Sequence, residues 1–419
     1  MTTTLKNRFF WISLLTCILL IQNNAQAQCD YSTSRYGVQA ELNVVYGTQT
    51  SWNGSADTLK IDIYKPIGDN NTARPVLFLV HGGGFSGGSK NDVKALCQIY
   101  ASRGVVAVAV GYRLGFVRPL QFDYPYILDQ AEVYRALYRG QQDAKGAIRF
   151  VKNRHLIDSS DINQVYIVGF SAGGMISLCV GYYTDSSYKY SNCGKIGNAV
   201  NLNGSWARPD LGNVDGDLNI NGKNAAVKGV FNFFGAVSDT NFILPGSPKL
   251  FQYHQTNDPV VPCGKNKPYW GVGLGVPDNY GTVYGSCQIE NRLKNLGMAA
   301  PQNETYIYNG NEHTVHDPSG LDIKMAAALE DWVCKSLSSV NSNLLPTVKF
   351  YPNPSTGRIQ FEDLPISTQS IKIYDTKGIA IKTYIGYHSN ISTDKLAPGI
   401  YTLQIIGPNF KSTKKIVIQ

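Results

Sequence analysis

A serine inside a glycine-rich turn has the setting of a nucleophile. Ser171 occupies the Gly-x-Ser-x-Gly motif of residues 169–173, directly after the apolar run Val165–Val168 and directly before a predicted helix. Glycines on both sides permit the sharp strand-to-helix turn that presents a hydroxyl at a strand end. The motif alone is weak in a chain with 41 glycines. Its position favours an activated serine over one that only caps the helix.

A serine hydroxyl needs a base to accept its proton and an acid to orient that base. Asp258 comes shortly after a predicted strand, Leu250–His254, and His313 comes shortly after another, Thr305–Tyr308. The chain order serine, aspartate, histidine therefore predicts a nucleophile, an orienting acid and a base.

Other residues leave alternatives open for these roles. His316 is a second candidate base, and Asp239, after the preceding predicted strand, is a reserve acid, although we expect Asp239 and His254 to be satisfied by local hydrogen bonds. Ser86 also lies in a Gly-x-Ser-x-Gly pattern. Polar residues separate it from the next helix, so it is poorly placed for a nucleophile turn.

A second glycine-rich turn, residues 81–88, follows the apolar run Pro75–Val80. Gly82, Gly84 and Gly87 match the Gly-x-Gly-x-x-Gly pattern of dinucleotide-binding turns. Such a site expects an acid at the end of the next strand, where this sequence has Gly-Tyr-Arg. Dinucleotide binding is therefore the third-ranked alternative, and we predict no cofactor.

Metal binding has little support. No cysteine and histidine cluster has zinc spacing. The run from Asp217 to Gly222 imitates half of a calcium loop, but Lys228 stands where a bidentate glutamate belongs. We expect an Asx-rich turn there and no metal.

The elements around these residues alternate between strand and helix. Continuous apolar runs at 75–80 and 105–110 are typical of parallel strands covered on both faces. Helices are predicted over 92–103, 132–155, 175–183 and 321–337, with further strands at 230–234, 250–254 and 305–308. The pattern predicts an α/β fold, a doubly wound and mostly parallel sheet, whose ligands bind beyond the carboxyl ends of the strands.

The ordered motifs resemble the α/β-hydrolase fold, in particular esterases and lipases with a His-Gly-Gly-Gly turn, here residues 81–84. The resemblance covers most of residues 40–337, and Gly111 to Leu114 is similar to the Asn-Tyr-Arg-Leu turn of carboxylesterases with glycine in place of asparagine. It implies that His81 braces the glycine turn.

The same resemblance implies roles for six residues. Ser171 would be the nucleophile, His313 the general base and acid, and Asp258 the residue that holds the imidazole. The backbone N–H groups would form the oxyanion hole at three positions: Gly83, Gly84 and Ala172. Such preorganised donors stabilise the charge that develops on a carbonyl oxygen.

The two ends of the chain read as export signals. Lys6 and Arg8 precede an apolar run, Phe9–Ile21, and Ala25-Gln26-Ala27 has the small-x-small pattern of signal cleavage. The apolar run is shorter than the ~20 residues that span a bilayer. We predict a signal peptide over residues 1–27 and no transmembrane anchor in the mature protein.

Residues 340–419 are predicted to be a small all-β sandwich domain after a catalytic domain over 28–339. The Tyr351-Pro-Asn-Pro motif, the Leu396–Tyr401 run and the lysine-rich last strand resemble the type A sorting domain of the type IX secretion system. The resemblance implies the type IX machinery as a partner and passage through the periplasm and outer membrane of a Gram-negative bacterium, to a secreted or cell-surface location. A carbohydrate-binding sandwich is the alternative.

Charge argues against nucleic acid as a partner. The formal net charge is +8, but residues 341–419 hold nine basic and four acidic residues, and residues 1–27 add two bases. The central body is nearly neutral and has no basic stripe.

Export makes disulfides reasonable. Cys263 and Cys287 bracket a loop rich in glycine, proline and tyrosine and are the first expected pair, with Cys179–Cys193 the second. We expect the loops 205–226 and 263–287 to form the rim of the site.

The sequence therefore predicts a secreted serine carboxylic-ester hydrolase that works through an acyl-enzyme. Acetyl, feruloyl or other short acyl esters of extracellular material, including decorated polysaccharide, are the expected substrates, because 26 tyrosines could line an aromatic or sugar-binding cleft. A serine peptidase of the same fold and a non-catalytic surface-binding protein on this scaffold are the alternatives.

Overall fold

A computed structural model of the chain describes residues 30–118, 127, 129–185, 188–201, 203–273, 275–298, 303–338, 348–362, 364, 368–376, 378–407 and 410–419. The predicted signal segment lies outside these residues. The chain divides into two compact units, Met1–Val333 and Cys334–Gln419.

A mixed sheet of eight strands forms the centre of the first unit. In chain order the strands of this unit are β1 Gly37–Thr50, β2 Ala56–Ile67, β3 Arg74–Val80, β4 Val106–Val110, β5 Ser160–Phe170, β6 Ile196–Asn201, β7 Gly204–Arg208, β8 Gly229–Phe233, β9 Ala236–Val237, β10 Lys249–Gln255, β11 Lys265–Asn266, β12 Val283–Gly285 and β13 Asn303–Tyr308. The order in the large sheet is β1-β2-β4-β3-β5-β8-β10-β13. Six neighbouring strands, β4 to β13 in that order, are parallel, and β1 and β2 form an antiparallel edge.

Six α-helices in the described part of the chain accompany this sheet. They are α1 Lys94–Ser102, α2 Gln130–Asn153, α3 His155–Asp158, α4 Ala172–Tyr182, α5 Ser286–Asn295 and α6 Pro318–Ser338. Every residue of β3 and β4 is buried, as continuous apolar runs require. The predicted α/β-hydrolase fold is confirmed. Within the described residues, no helix is long and apolar enough to cross a bilayer.

Several elements were not predicted. The edge strand β1 is mostly exposed and lacks a clean apolar alternation. The hairpin of β6 and β7 is polar and half-exposed. Helix α5 has only ten residues and follows a cysteine loop. In each case little apolar surface is buried, so hydrophobic periodicity gives a weak signal.

The second unit consists of two antiparallel sheets. Its strands are β14 Lys349–Tyr351, β15 Arg358–Glu362, β16 Ser370–Tyr374, β17 Ala380–Ile385, β18 Asn390–Ser392, β19 Gly399–Gly407 and β20 Phe410–Ile418. One sheet has the order β14-β15-β18 and the other β17-β16-β19-β20. Ile359 and Ile391 from the first sheet pack with Ile371 and Leu403 from the second in one core. The predicted all-β character of this region is confirmed.

Candidate active site

Ser171 lies at a strained turn between β5 and α4. Its backbone has φ 54° and ψ −119°, a conformation that residues other than glycine rarely adopt. Its N–H donates to the Phe233 carbonyl (2.9 Å) at the end of the neighbouring strand β8. The side chain forms no capping hydrogen bond with α4. The hydroxyl is therefore not used as a helix cap.

The flanking glycines are required by close backbone contacts. A Cβ on Gly169 would lie 2.0 Å from the carbonyl oxygen of Gly173. A Cβ on Gly173 would lie 2.2 Å from the carbonyl oxygen of Val80, at the end of β3. The first turn of α4 therefore packs so closely against the end of β3 that a side chain larger than that of glycine would not fit.

The structure brings Ser171, His313 and Asp258 together in one chain of hydrogen bonds. The Ser171 Oγ lies 2.7 Å from the His313 Nε2, and the His313 Nδ1 lies 2.6 Å from the Asp258 Oδ2. The loops after β5, β10 and β13 supply these residues, all at the carboxyl ends of parallel strands. The carboxylate accepts from Nδ1–H, which leaves Nε2 free to accept the serine proton.

The carboxylate of Asp258 is fully buried and well supplied with donors. Its Oδ1 accepts hydrogen bonds from the N–H groups of Val260 (2.8 Å) and Val261 (3.0 Å). Burial disfavours its ionised form, but hydrogen bonds from His254 and His313 outweigh burial and lower the pKa of Asp258. Asp258 is therefore an anion at neutral pH.

His254 lies next to the site and contacts Asp258, a contact that the sequence analysis did not predict. It is fully buried; its Nε2 lies 2.8 Å from the Val261 carbonyl oxygen and 3.3 Å from the Asp258 Oδ2. Because a carbonyl only accepts, Nε2 carries the hydrogen and Nδ1 accepts from the Ser286 hydroxyl (3.0 Å). Its partners are local, as expected, but one of them is the site's own carboxylate. The signal available in the sequence was the spacing of four residues between His254 and Asp258 across the strand end.

The turn of residues 81–88 lies beside Ser171. A Cβ on Gly82 would lie 3.3 Å from the Cβ of Ser171. Gly83 and Gly84 have positive φ values of 108° and 59°, and a Cβ on Gly83 would lie 2.2 Å from the Gly87 carbonyl oxygen. Among the described residues, none accepts a hydrogen bond from the N–H of Gly83 or Gly84. These amides are available to a ligand.

Two aromatic residues support this turn. The ring of His81 stacks on Tyr112 with centroids 4.4 Å apart, and the His81 Nδ1–H donates to the Gly82 carbonyl (2.7 Å). The Tyr112 hydroxyl donates to the His81 carbonyl (3.0 Å). Burial lowers the pKa of His81, which favours the neutral ring.

A small, mainly apolar cavity opens at Ser171. Its volume is about 60 Å³, and Gly84, Ser171 and Ala172 are among the residues that line it. The remaining wall is supplied mainly by apolar side chains: Phe85, Val133, Leu137, Met175, Val260, Tyr269, Tyr280 and Val283. Gly83 lies in the same turn as Gly84 but does not line the cavity. The 263–287 loop forms part of this wall, whereas residues 205–217 line a different cleft.

The alternative residues are placed elsewhere. His316 is exposed and stacks on Tyr308 with ring centroids 3.9 Å apart. Asp239 accepts from the Asn241 N–H (2.9 Å) and caps a short 3₁₀ turn. Ser86 lies within the glycine turn, and no hydrogen bond in the described part of the chain joins its hydroxyl to a histidine.

The calcium-like turn is held by protein contacts. The Asn219 side-chain amide donates to the carbonyls of Tyr46 (2.8 Å) and Gly146 (3.2 Å), so it is turned toward the protein. Across the described residues, no group of three histidine, cysteine or acidic side chains is arranged to hold a metal ion.

One of the two expected disulfides is present. Cys263 and Cys287 are bonded, which confirms that pairing. The pairing of Cys179 with Cys193 is wrong, because both are free and buried. The Cys193 thiol lies 3.6 Å from the Tyr134 carbonyl oxygen, and Cys179 hydrogen-bonds to Tyr190.

Part of the chain that forms this site matches a known protein family. Residues 22–189 match the model of the carboxylesterase family. This part of the chain is therefore similar to carboxylesterases. The matched segment includes the glycine turn and Ser171 and ends before Asp258 and His313.

Relatives of the carboxylesterase domain are matched over short segments. The chain is 34% identical to venom carboxylesterase-6 of Apis mellifera over 29% of this chain and 20% of that protein. It is 33% identical to gut esterase 1 of Caenorhabditis elegans over 33% and 24%, and 34% identical to the neuroligin-like protein glit-1 of the same species over 32% and 16%. The chain therefore spans less than a quarter of the length of these relatives.

Among solved structures, the chain is similar to a thermophilic esterase of Thermogutta terrifontis, with 18% identity, coverage of 74% of this chain and 95% of that one, and a TM-score of 0.43. A truncated carbohydrate esterase from gut microbiota shows 16% identity, coverage of 72% and 99%, and a TM-score of 0.43. Residues 349–419 match the secretion system C-terminal sorting domain. The chain thus carries a sorting domain of the type IX kind, which indicates export to the cell surface or medium.

Proposed function

We propose that the protein is an exported serine carboxylic-ester hydrolase that works through an acyl-enzyme. The observation that carries the proposal is the chain of two short hydrogen bonds, 2.7 Å and 2.6 Å, that joins Ser171 to His313 and His313 to Asp258. The carboxylesterase family match over residues 22–189 supports the same reaction class.

In the proposed first step, the His313 Nε2 accepts the Ser171 proton as Oγ attacks the carbonyl carbon of the ester. The Asp258 carboxylate stabilises the imidazolium that forms. The alcohol leaves with the proton that His313 returns to it, and the acyl group stays on Ser171. A water molecule then repeats the sequence and releases the acid.

The negative charge of the tetrahedral intermediate would be bound by the N–H groups of Gly83, Gly84 and Ala172. Two observations support this role: Gly84 and Ala172 line the cavity at Ser171, and the glycine amides have no acceptor among the described residues. Loss of one such donor typically lowers turnover by about 10²–10³-fold.

The cavity supports short acyl groups as substrates. A volume of about 60 Å³ holds only a few water-sized groups, and its wall is mainly apolar. We therefore propose acetyl to butyryl esters of extracellular material, such as acetylated polysaccharide, ahead of the bulkier feruloyl esters.

Hydrolysis of p-nitrophenyl acetate, butyrate and decanoate tests this function. We expect the two shorter esters to be preferred and Ser171→Ala to lose at least about 10³-fold in kcat. Ser86→Ala is the matched control and should stay within a few-fold of the parent protein. Full activity in Ser171→Ala would reject the assignment, and loss in Ser86→Ala alone would move the nucleophile.

We further propose the domain limits 28–339 for the hydrolase and 340–419 for the sorting domain, with residues 1–27 as a signal peptide removed on export. The family match over residues 349–419 supports the route through periplasm and outer membrane. Deleting 349–419 should leave active hydrolase in the periplasm. Secretion of the truncated protein into the medium would contradict the route.

A further inference from the structure

A second cavity lies on the other side of helix α2 from Ser171. Its volume is about 540 Å³, much larger than that of the cavity at Ser171, which is called the acyl cavity below. Val133 and Leu137 of α2 line the acyl cavity, whereas Arg135 and Arg139 line this second cleft. The positions alternate as the 3.6-residue period of a helix requires. One helix therefore separates the two cavities.

Four arginines line the cleft, and they have different partners. Arg113 is paired with Asp143 (Nη2 to Oδ1, 2.8 Å), and Arg208 with Asp129 and Glu132. The acids nearest to the other two arginines are thus already in ion pairs.

Among the described residues, Arg135 and Arg139 donate only to backbone carbonyls. The Arg135 Nη1 donates to the carbonyls of Asn192 (3.0 Å) and Gly194 (2.9 Å), and its Nη2 donates to the carbonyl of Pro209 (2.5 Å). The Arg139 Nη2 donates to the carbonyl of Gly115 (2.9 Å). Within the described residues, neither guanidinium has a carboxylate at ion-pair distance. Two positive charges therefore face the cleft without an anionic partner of their own.

These two charges are deeply buried. Arg135 is 3% exposed and Arg139 4%, and the Arg139 Nε has no hydrogen-bond partner. Burial of the charged form lowers the pKa of Arg139 to about 10. A buried charge without an anion is costly, and an incoming carboxylate in a bidentate contact would relieve that cost.

Two indole rings stand beside these charges. The ring centroids of Trp52 and Trp206 are 5.9 Å apart and the planes are inclined by 50°. Trp52 packs directly on Gly115, since a Cβ there would lie 2.3 Å from the indole Nε1. Gly115 is also the residue whose carbonyl Arg139 contacts. The aromatic faces and the unpaired guanidinium thus meet at one end of the cleft.

We propose that this cleft binds an acidic oligosaccharide, with the carboxylate of a hexuronic acid residue at Arg139 and Arg135 and sugar rings stacked on Trp52 and Trp206. The C–H face of a pyranose packs on an indole ring, while neutral side chains such as Gln142 and Asn213 on the lining suit hydroxyl groups. A polyphosphate chain fits less well, because it has no sugar ring to stack on the indole faces of Trp52 and Trp206.

The proposal concerns binding and does not depend on hydrolysis at Ser171. If the proposed function is also correct, an acidic polysaccharide chain would be held next to α2, the helix that lines the cavity at Ser171. Bound chains would then be retained near the site between turnovers.

Isothermal titration of the full chain with trigalacturonic acid tests the proposal, with neutral xylotriose as the comparison ligand. We expect saturable binding of trigalacturonate, weaker binding at higher salt, and at least ten-fold weaker binding of xylotriose. Trp206→Ala and Arg139→Gln should each weaken trigalacturonate binding by at least ten-fold. Tyr387→Ala, which removes an exposed ring in the second unit, is the control and should bind as the parent does.

Arg139 is buried, so the binding result of Arg139→Gln is used only if the thermal melting temperature of that variant matches the parent's. Trp206 is half-buried, so Trp206→Ala tests the proposal without relying on Arg139→Gln. Three results would overturn the proposal: no trigalacturonate binding at millimolar concentration, equal binding of xylotriose, or unchanged binding in Trp206→Ala. Hydrolysis of p-nitrophenyl acetate by the parent and by Tyr387→Ala is measured separately and should be equal, so a failed esterase assay and a failed binding assay remain distinct results.

Discussion

The polar side chains of the site each have a small, identifiable set of hydrogen-bond partners. The Asp258 carboxylate has two amide donors and two histidines around it. Among the described residues, the Ser171 hydroxyl has no hydrogen-bond partner that competes with His313. The side chain of His313 is 20% exposed, which leaves a path for water to the serine. These features favour a hydrolase over a closed structural cluster.

Replacing His254 tests whether the site depends on its second histidine. His254→Phe removes a hydrogen bond to a charged group, worth about 1.5–3 kcal/mol. We expect kcat to fall by about 10–100-fold, with KM unchanged because His254 does not line the cavity. His254→Gln retains an N–H donor and should recover part of the loss. Steady-state kinetics of the two variants check this; an unchanged kcat in His254→Phe would show that the contact is only structural.

Asp258 should also make the stability of the fold depend on pH. Because the folded state lowers its pKa, the carboxylate stabilises the fold above its unfolded pKa of about 3.9. That contribution is lost as pH falls through the lower folded value. Urea unfolding of the parent and Asp258→Asn should therefore show a stability difference at pH 6 that shrinks as the pH falls below about 4. A difference that grows toward acid pH would contradict the direction of the shift.

At the scale of elements, the turn between β5 and α4 determines where the serine stands. Gly173→Ala would place a methyl group 2.2 Å from the Val80 carbonyl oxygen, so β3 and α4 would have to separate. Overpacking of this kind costs about 1–3 kcal/mol, and we expect hydrolysis to be lost with it. Gly197→Ala, where a Cβ meets nothing within 4 Å, is the matched control. Chemical denaturation of both variants measures the effect; equal stabilities would mean that the close contact is not present.

The disulfide of Cys263 and Cys287 closes the loop that carries part of the cavity wall. The two cysteines are 24 residues apart, and a loop of that size contributes about 3 kcal/mol by restricting the unfolded chain. We expect the double variant Cys263→Ser/Cys287→Ser to lose about that much stability and to change its preference among acyl chains. The double variant is used instead of a reductant because Cys334 is also disulfide-bonded. Unchanged acyl preference would show that the loop does not shape the site.

Sequence reasoning predicted the elements whose burial is nearly complete. Residues 75–80 of β3 and all of β4 are apolar, and the glycines around Ser171 are required by contacts of about 2 Å, so both leave clear patterns. The partner of His254 could not be predicted, because it depends on how the loop after β10 turns back on its own strand. The hairpin of β6 and β7 was missed because its residues are mostly exposed.

The whole molecule comprises two units with separate cores, and each unit matches a different family. The first unit matches the carboxylesterase family model in part and holds the Ser171 cavity and the cleft of Arg139 on opposite sides of α2. The second matches a sorting domain. The charge follows the same division, since the region after residue 340 holds most of the excess of basic residues. Residues 28–340 are nearly neutral, which is compatible with the proposed hydrolysis of uncharged esters.

Covalent labelling shows whether Ser171 is an activated nucleophile. The full chain is treated with a fluorophosphonate probe, and the modified residue is located by mass spectrometry of its peptides. We expect one adduct on Ser171, absent in Ser171→Ala and strongly slowed in His313→Ala. A folded parent protein that takes up no probe, or one that carries the adduct on Ser86, would contradict it.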